Sequence, residues 1–229
     1  MIEINKIHKM DCLKGLKEIP DLFADLVLTD PPYGIGAAKN GTIGGNGGFK
    51  KGNKRSNHVV KVKDYGKQEW DLNHVDKPYF DEMFRVSKNQ IIFGGNYYID
   101  YLYNSSCWII WDKDNSGNFA DCEMAWTSFN TAVRRIKHRW NGMLQEDMKN
   151  KEKRYHPTQK PLRVMEWIIR NYTKEGELVL DPFAGSGTTL VACKRLNRNY
   201  IGFELSDEYV RVCNKRLYNV PVRLEKFQT

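Results

Sequence analysis

Apolar and polar positions along the chain form a regular series of strands and amphipathic helices. The pattern predicts strands over residues 2–10, 24–29, 90–93, 107–111, 123–129, 131–136, 177–180 and 200–203, and helices over 13–19, 78–86, 162–172, 186–196 and 206–217. Ser206 is a suitable N-cap for the last helix. This alternation indicates an α/β domain with a largely parallel sheet and helices on both faces. The consecutive strands 123–129 and 131–136 are expected to pair antiparallel at one edge.

Two of the predicted strands end on an acid followed by proline. The first reaches Asp30 and stops, because Pro31 and Pro32 lack backbone donors. The second reaches Asp181 and opens through a glycine turn into a helix. Ligands bind at the carboxyl ends of strands in open parallel sheets, so both strands are expected to be neighbours around one site. The alternative for the first motif is an ordinary turn, which Asp and Pro favour.

Length and composition are those of one globular domain spanning residues 1–229. No run of about 18 apolar residues could span a membrane, and the N-terminus lacks a signal-peptide core. The five cysteines are scattered without metal-ligand spacing, so we expect reduced thiols, no metal and a cytoplasmic location. The net charge of +8 favours a polyanionic partner.

Positive charge is concentrated in two segments. A glycine-rich loop at about residues 34–70 is expected to lie along a phosphate backbone, and a short segment at about 134–155 combines cations with aromatic residues. The candidate DNA-binding residues are Lys39, Lys50, Lys51, Lys54, Arg55, Arg134, Arg135, Lys137 and Arg139. The alternatives are a solvated linker for the loop and a solvated face for the second segment.

Six short runs, in this order, resemble a known family. They are Asp11-Cys12, residues 30–34 (Asp-Pro-Pro-Tyr-Gly), 93–96 (Phe-Gly-Gly-Asn), 158–161 (Thr-Gln-Lys-Pro), 181–189 with its glycine turn, and Glu204. The chain thereby resembles the S-adenosylmethionine-dependent DNA amino-methyltransferases of the β class, in which the catalytic motif precedes the cofactor motif. The resemblance implies a Rossmann-like methyltransferase fold and a function in restriction-modification. The short segment 134–155 stands where target recognition is expected, and we expect no separate recognition or dimerisation domain.

The resemblance also implies a cofactor site. Gly185 and Gly187 let the backbone approach the cofactor, and Glu204 is placed to accept the ribose hydroxyls. A phosphate-binding loop would need a lysine after Gly187, and none is present. The cofactor-binding candidates are Asp11 and Cys12 (near the adenine), Asp30, Thr158 and Lys160 (near the carboxylate), Asp181 (near the amino group), Phe183, Ala184, Gly185, Ser186, Gly187, Thr188, Glu204 and Leu205. For Asp11 and Cys12 a simple strand-end turn is the alternative.

The exocyclic amine of adenine or cytosine is a poor nucleophile, because its lone pair is delocalised into the ring. We expect the Asp30 carboxylate and the Pro31 carbonyl to accept its two N–H groups, aiming the lone pair at the methyl donor. Pro32 would stiffen the corner and Tyr33 would stack on a base flipped out of double-stranded DNA. Packing of Tyr33 into the core is the alternative.

Asp at the first position of the motif leans toward adenine N6 in this family, so adenine is the expected base. Cytosine N4 remains an alternative, as do an RNA or protein-amide substrate and an inactive DNA-binding module. The sequence leaves the oligomeric state open.

Overall fold

The computed structural model describes residues 2–34, 75–115, 120–141, 144–156 and 158–221. The helices are α1 (Cys12–Lys17), α2 (Lys77–Val86), α3 (Leu162–Tyr172), α4 (Thr188–Arg195) and α5 (Asp207–Tyr218), with a short 3-10 helix at Gly95–Tyr97. The strands are β1 (Lys6–Lys9), β2 (Ala24–Thr29), β3 (Ser87–Phe93), β4 (Trp108–Asp112), β5 (Cys122–Thr127), β6 (Arg134–Lys137), β7 (Trp140–Asn141), β8 (Leu144–Gln145), β9 (Leu178–Asp181) and β10 (Asn199–Glu204). Lys39, Lys50, Lys51, Lys54 and Arg55 of the predicted basic loop lie outside the described residues.

In the described part of the chain, eight strands form one sheet in the order β1-β10-β9-β2-β3-β5-β4-β6. Pairing is parallel from β1 through β3, so the carboxyl ends of β1, β10, β9 and β2 share one edge. The two strands that end on an acid were predicted to be neighbours. This prediction is confirmed, because β2 pairs directly with β9. Ser206 caps α5 as predicted, accepting from the Tyr209 amide at 3.4 Å.

The antiparallel part of the sheet differs from the prediction. Strand β5 runs antiparallel between β3 and β4, whereas β6 pairs parallel with β4 and forms the end of the sheet. The expected antiparallel pairing of β5 with β6 is therefore wrong. Sequence neighbours often pair, but here β4 already occupies the side of β5 that β6 would need.

Alternate residues of the central strands bury their side chains on opposite faces, as the two-residue period of a strand requires. Leu26 and Leu28 of β2 belong to the core shared with α3, α4 and α5, whereas Val27 belongs to the core shared with α1 and α2. Helix α3 buries Val164 and Ile168 completely, each contributing about 1.5–3 kcal/mol by removal from water. Helices thus cover both faces, and the carboxyl edge stays accessible.

Within the described ranges, every helix is too short or too polar to cross a membrane. The same residues contain no cluster of three or more histidine, cysteine or acidic side chains that could hold a metal ion.

Candidate active site

A cavity of about 340 Å³ opens at the carboxyl edge of the sheet. Four acids line it, each at or just beyond the end of a parallel strand: Asp11 after β1, Asp30 after β2, Asp181 in β9 and Glu204 in β10. Cavities of this size are typical of small-molecule sites. The strand ends therefore bring together the acids that the sequence singled out.

The glycine turn between β9 and α4 forms one wall of the cavity. Gly185 and Gly187 have φ of +51° and +80°, in the left-handed region that disfavours side chains. A Cβ on Gly187 would lie 2.1 Å from the Cys213 sulfur, so α5 packs directly against this backbone. Arg216 of α5 donates to the Ser186 carbonyl at 2.8 Å and to the Thr188 hydroxyl at 3.1 Å. The turn is held from behind by α5.

Residues 152–160 cross in front of this turn. Gln159 accepts from the Tyr155 amide at 2.8 Å and donates to Glu152 at 2.8 Å, and Glu152 also accepts from the amide of Leu162 at the start of α3. These bonds fix the Thr158-Gln159-Lys160 run beside the glycine turn. Thr158, a candidate cofactor residue, lines the cavity.

His156 also lines the cavity, although no sequence motif assigns it a role. Its Nδ1 lies 3.0 Å from the Thr158 hydroxyl, and its ring packs against Tyr209 with centroids 4.5 Å apart. Burial, with a smaller contribution from the Lys160 charge, lowers the pKa of His156 to about 4. His156 is therefore a neutral part of the cavity wall.

Asp181 is almost completely buried and forms hydrogen bonds that connect the end of β9 to β2 and to the glycine turn. Its Oδ1 accepts from the Thr29 hydroxyl at 2.8 Å and from the Phe183 amide at 3.1 Å. Burial raises the pKa of Asp181 to about 6, although these hydrogen bonds oppose the shift. Asp181 thus links β2 to the glycine turn while bordering the cavity.

Asp11 and Glu204 lie on the β1–β10 side of the cavity. Asp11 is the N-cap of α1 and accepts a hydrogen bond from the Lys14 amide at 3.0 Å. It also lines the cavity, so a structural role at the end of the strand does not exclude contact with a ligand. Glu204 accepts from the Ser206 amide at 2.7 Å, and burial raises its pKa. Cys12, Phe183, Ala184, Gly185, Ser186, Thr188 and Leu205 line the same cavity. Apart from Gly187, whose backbone supports the turn, the cofactor candidates are brought together.

Asp30 stands on the rim of the cavity with its side chain 22% exposed. Its Oδ1 accepts from the Tyr33 hydroxyl at 2.5 Å, and its Oδ2 is ion-paired with the ammonium of Lys160. Burial, assisted by the nearby charge of Glu123, raises the pKa of Asp30 against the opposing effect of Lys160. Lys160, assigned from the sequence to the cofactor carboxylate, lines the cavity and also contacts the proposed catalytic carboxylate.

Glu123 is a further residue of this cluster that sequence reasoning missed. The Lys160 ammonium lies 3.1 Å from Glu123 Oε2, and the Lys113 ammonium lies 2.5 Å from Glu123 Oε1. Glu123 lies in β5 and Lys113 follows β4, so antiparallel pairing of the two strands places them together. The sequence offered no motif for either residue, because only sheet pairing brings them to Asp30.

The Tyr33 ring is enclosed by residues that follow β3. It stacks on Tyr97 with centroids 4.7 Å apart and planes 18° apart, and Tyr97 is 44% exposed. A Cβ on Gly94 would lie 2.1 Å from the Tyr33 ring, so only glycine allows this approach. Tyr98 donates a hydrogen bond to the Pro32 carbonyl. The core-packing alternative for Tyr33 is thus partly realised, since its partly buried side chain packs against the core cluster that contains Tyr98, while Tyr97 covers one face from the surface.

The basic residues of β6 are divided between two edges of the sheet. Lys137 pairs with Asp112 at the carboxyl end of β4, on the same edge as Asp30, whereas Arg134 pairs with Ile109 near the opposite edge. Arg134 borders a separate depression there, together with Asp25 and Glu177. The structure therefore does not bring Arg134 together with the remaining cations of this segment.

Asp114 neutralises part of the positive charge on the active-site edge. It lies 2.6 Å from the Lys137 ammonium and is also ion-paired with Arg139. Arg135 lies 3.8 Å from Asp112. Lys137, Arg139 and Arg135 are all exposed at this end of the sheet.

Comparison with known proteins establishes the family. The sequence profile of the N6/N4 methyltransferases, described as DNA methylase, matches residues 50–215. The chain belongs to this DNA methylase family. The Type II methyltransferase M.HinfI of Haemophilus influenzae is 31% identical, with 95% of this chain and 69% of the relative covered. M.HpaI of Haemophilus parainfluenzae is 28% identical, with 90% and 72% covered.

Solved structures show the same fold. The M1.HpyAVI–SAM complex superposes with a TM-score of 0.55 at 24% identity, covering 93% of this chain and 99% of that one. The cytosine-N4-specific PvuII DNA methyltransferase gives 0.58 at 16% identity, with 97% and 87% covered. The family and the Rossmann-like fold predicted for this methyltransferase are confirmed, and S-adenosylmethionine is the cofactor that this membership implies.

Proposed function

We propose that this methylase transfers a methyl group from S-adenosylmethionine to adenine N6 in double-stranded DNA, as part of restriction-modification. The observation that carries the proposal is the position of Asp30. Its carboxylate lies on the rim of a small-molecule cavity, directly after the carboxyl end of β2. Family membership supports DNA as the substrate and an exocyclic amine as the acceptor. The choice of adenine rests on Asp at the first position of the motif.

The cavity fits the cofactor in its chemistry. Glu204 offers a carboxylate suited to ribose hydroxyls, and the adjacent Phe183 and Leu205 offer apolar surface for a base. Asp11 and Cys12 would border the adenine, while Asp181 and Thr158 stand on the Asp30 side, where the methionine part belongs. When bound, S-adenosylmethionine supplies an electrophilic methyl group.

The protein's own contribution is to orient the amine. Asp30 and the Pro31 carbonyl accept its two N–H groups, which concentrates the lone pair on the side facing the cavity. Asp30 also receives the proton that the amine releases. Tyr33 stacks on the extruded base. Because Tyr97 covers one face of the Tyr33 ring, a base that stacks on that face has to displace the Tyr97 ring.

The decisive experiment combines label transfer with a point variant. The purified protein is incubated with methyl-labelled S-adenosylmethionine and unmethylated genomic DNA, and the DNA is digested to nucleosides. We expect label in N6-methyladenine, and we expect Asp30→Ala to lose about 10²–10⁴ of the rate while still binding the cofactor. Label in N4-methylcytosine would correct the base and keep the mechanism. A folded Asp30→Ala variant with full transfer would contradict the role of Asp30.

Failure to label DNA would reject the proposal. The same assay is then run with RNA and with protein acceptors, which separates a different substrate from an inactive DNA-binding module.

A further inference from the structure

Four side chains of alternating charge extend from the site into the sheet. Asp30 pairs with Lys160, the Lys160 ammonium lies 3.1 Å from Glu123 Oε2, and Glu123 Oε1 lies 2.5 Å from Lys113. The Lys160 side chain is only 9% exposed and Glu123 is 26% exposed. Glu123 does not line the cofactor cavity. The chain of charges therefore reaches the cavity through Asp30 and Lys160, which both line it, whereas Glu123 and Lys113 lie behind them.

We propose that Glu123 is a positioning residue for methyl transfer, which holds the Lys160 ammonium beside Asp30 and takes it over when Asp30 binds the target amine. This inference rests on the proposed function, because it assigns Asp30 to the amine.

The need for such a partner follows from the contacts of Asp30. Both of its carboxylate oxygens are engaged, Oδ1 by the Tyr33 hydroxyl and Oδ2 by Lys160. An incoming amine N–H must compete with these two partners for the carboxylate. A buried ammonium that lost its partner without replacement would carry a large desolvation cost. Glu123 Oε2 is already within 3.1 Å of that ammonium, so a small shift of the Lys160 side chain frees Asp30 without isolating the charge.

Glu123 is itself kept charged by two cations. Burial raises its pKa, but Lys160 and Lys113 outweigh burial and lower it overall. The Lys113 ammonium lies 5.1 Å from the centre of the Trp111 ring, and Lys160 lies equally far from that of Phe93. Each ammonium thus also has an aromatic ring within the distance of a cation–π contact.

The same arrangement assists proton removal. In the transfer step an amine N–H bond breaks and an O–H bond forms on Asp30, which therefore changes from anion to neutral acid. An ammonium held only by Asp30 opposes that change, whereas one shared with Glu123 opposes it less. Among the residues that the structure describes, Tyr33 and Asp181 also face Asp30, and His156 faces Lys160.

The test compares pH profiles of kcat for two variants with opposite expected shifts. Glu123→Gln leaves Lys160 entirely to Asp30, so the pKa of Asp30 falls and the acid limb moves to lower pH, while kcat decreases about 10- to 100-fold. Lys113→Met removes a cation from Glu123, which then attracts Lys160 more strongly, so the acid limb moves to higher pH. Affinity for S-adenosylmethionine, measured by calorimetry, is expected to stay unchanged in both variants.

A matched control makes the same chemical change elsewhere. Glu82 of α2 is 20% exposed and paired with Arg85 at 2.7 Å. The pH profile of kcat in Glu82→Gln is expected to be the same as in the wild type. Acid limbs that do not move in Glu123→Gln and Lys113→Met, or that move in the same direction, would overturn the inference.

A readout without turnover separates this inference from the proposed function. The Asp30 carboxyl is titrated by carbon-13 NMR in wild type and Glu123→Gln, with Asp30→Asn assigning the signal. We expect a lower pKa in Glu123→Gln whether or not DNA is the substrate. An unchanged Asp30 titration overturns the inference, whereas absence of DNA methylation by the wild type overturns the proposed function.

Discussion

At the scale of single residues, two glycines with nearly the same backbone angle differ in what surrounds them. Gly176 has φ of +81° and nothing within 4 Å of an added Cβ, whereas Gly187 has φ of +80° and the Cys213 sulfur 2.1 Å away. The pair therefore separates the cost of a left-handed backbone from the cost of overlap.

We expect Gly176→Ala to lower the free energy of unfolding by about 1–2 kcal/mol, the cost of placing an L-residue in this region. Gly187→Ala is expected to lose a further 1–3 kcal/mol, roughly, because α5 must move away from the turn. Urea unfolding of both variants measures the difference. Equal losses would show that α5 adapts without cost, contrary to the tight packing.

His156 provides a pH-dependent prediction. Its pKa is about 4 in the folded protein against 6.5 for the unperturbed group, so between these values the unfolded chain binds more protons. The contribution of His156 to stability is therefore present above pH 6.5 and is lost as the pH falls toward 4. His156→Gln should show a shallower loss over this window, by at most about 1.4 kcal/mol per pH unit.

The measurement is urea unfolding at several pH values between 4 and 7.5. Asp181 has a raised pKa and acts in the opposite sense, but it is present in both proteins and cancels in the comparison. Parallel pH dependences in wild type and variant would contradict a buried neutral His156.

At the scale of elements, pairing with β4 decides which basic residues can share a DNA surface. Strand β6 runs parallel to β4, so Lys137 lies at the edge of the sheet that carries the active site. Arg134 lies near the opposite edge of the sheet. Arg134 and Lys137 lie three rises apart along the strand, about 10 Å, which approaches the roughly 12 Å width of the major groove. The segment is thus two separate basic sites.

Asp114 restrains the cations on the active-site edge, and its removal is expected to strengthen DNA binding. In Asp114→Asn, Lys137 and Arg139 lose their shared carboxylate and can contact phosphates instead. The plot of log affinity against log salt concentration should become steeper by about one to two units. Fluorescence anisotropy at several salt concentrations measures this slope.

Arg134→Gln and Lys137→Gln form the matched pair for that experiment. Each variant removes one exposed cation of β6, but only Lys137 lies on the edge that contains Asp30. The salt slope should become shallower for Lys137→Gln and stay unchanged for Arg134→Gln. Equal effects would indicate that DNA contacts both edges.

At the scale of the whole molecule, the cofactor cavity joins strands from both ends of the sequence. Asp11 follows the first strand and Glu204 ends the last, so a ligand that contacts both connects the beginning and the end of the described chain. Ligand binding should therefore stabilise the folded domain as a unit.

We expect S-adenosylmethionine at 100 times its Kd to raise the free energy of unfolding by about 2.7 kcal/mol, and hence Tm by roughly 5–10 °C. Glu204→Gln should lose most of this shift, because an amide cannot accept both ribose hydroxyls as a carboxylate does. Glu208→Gln, an exposed change on α5, is the control. Differential scanning fluorimetry measures the shift in Tm. An undiminished shift in Glu204→Gln would contradict the assignment of Glu204 to the cofactor site.

Local patterns were sufficient where a residue's position depends on its own strand or helix. The strand that ends before Asp30 and the helix α3 have the predicted bounds, because apolar periodicity, proline and strand ends are local signals. The glycine turn and Glu204 followed from the same reasoning, since parallel strands place their carboxyl ends on one edge.

The sequence by itself determined the α/β class, the family and the acids at the strand ends. Only the tertiary structure decided that β4 lies between β5 and β6, that Lys160 pairs with Asp30, and that Glu123 and Lys113 complete the cluster. The physical reason is that these contacts join residues distant in sequence. The charges are visible in the sequence, but the distances between these side chains are set by strand pairing, which the local pattern of a strand does not show.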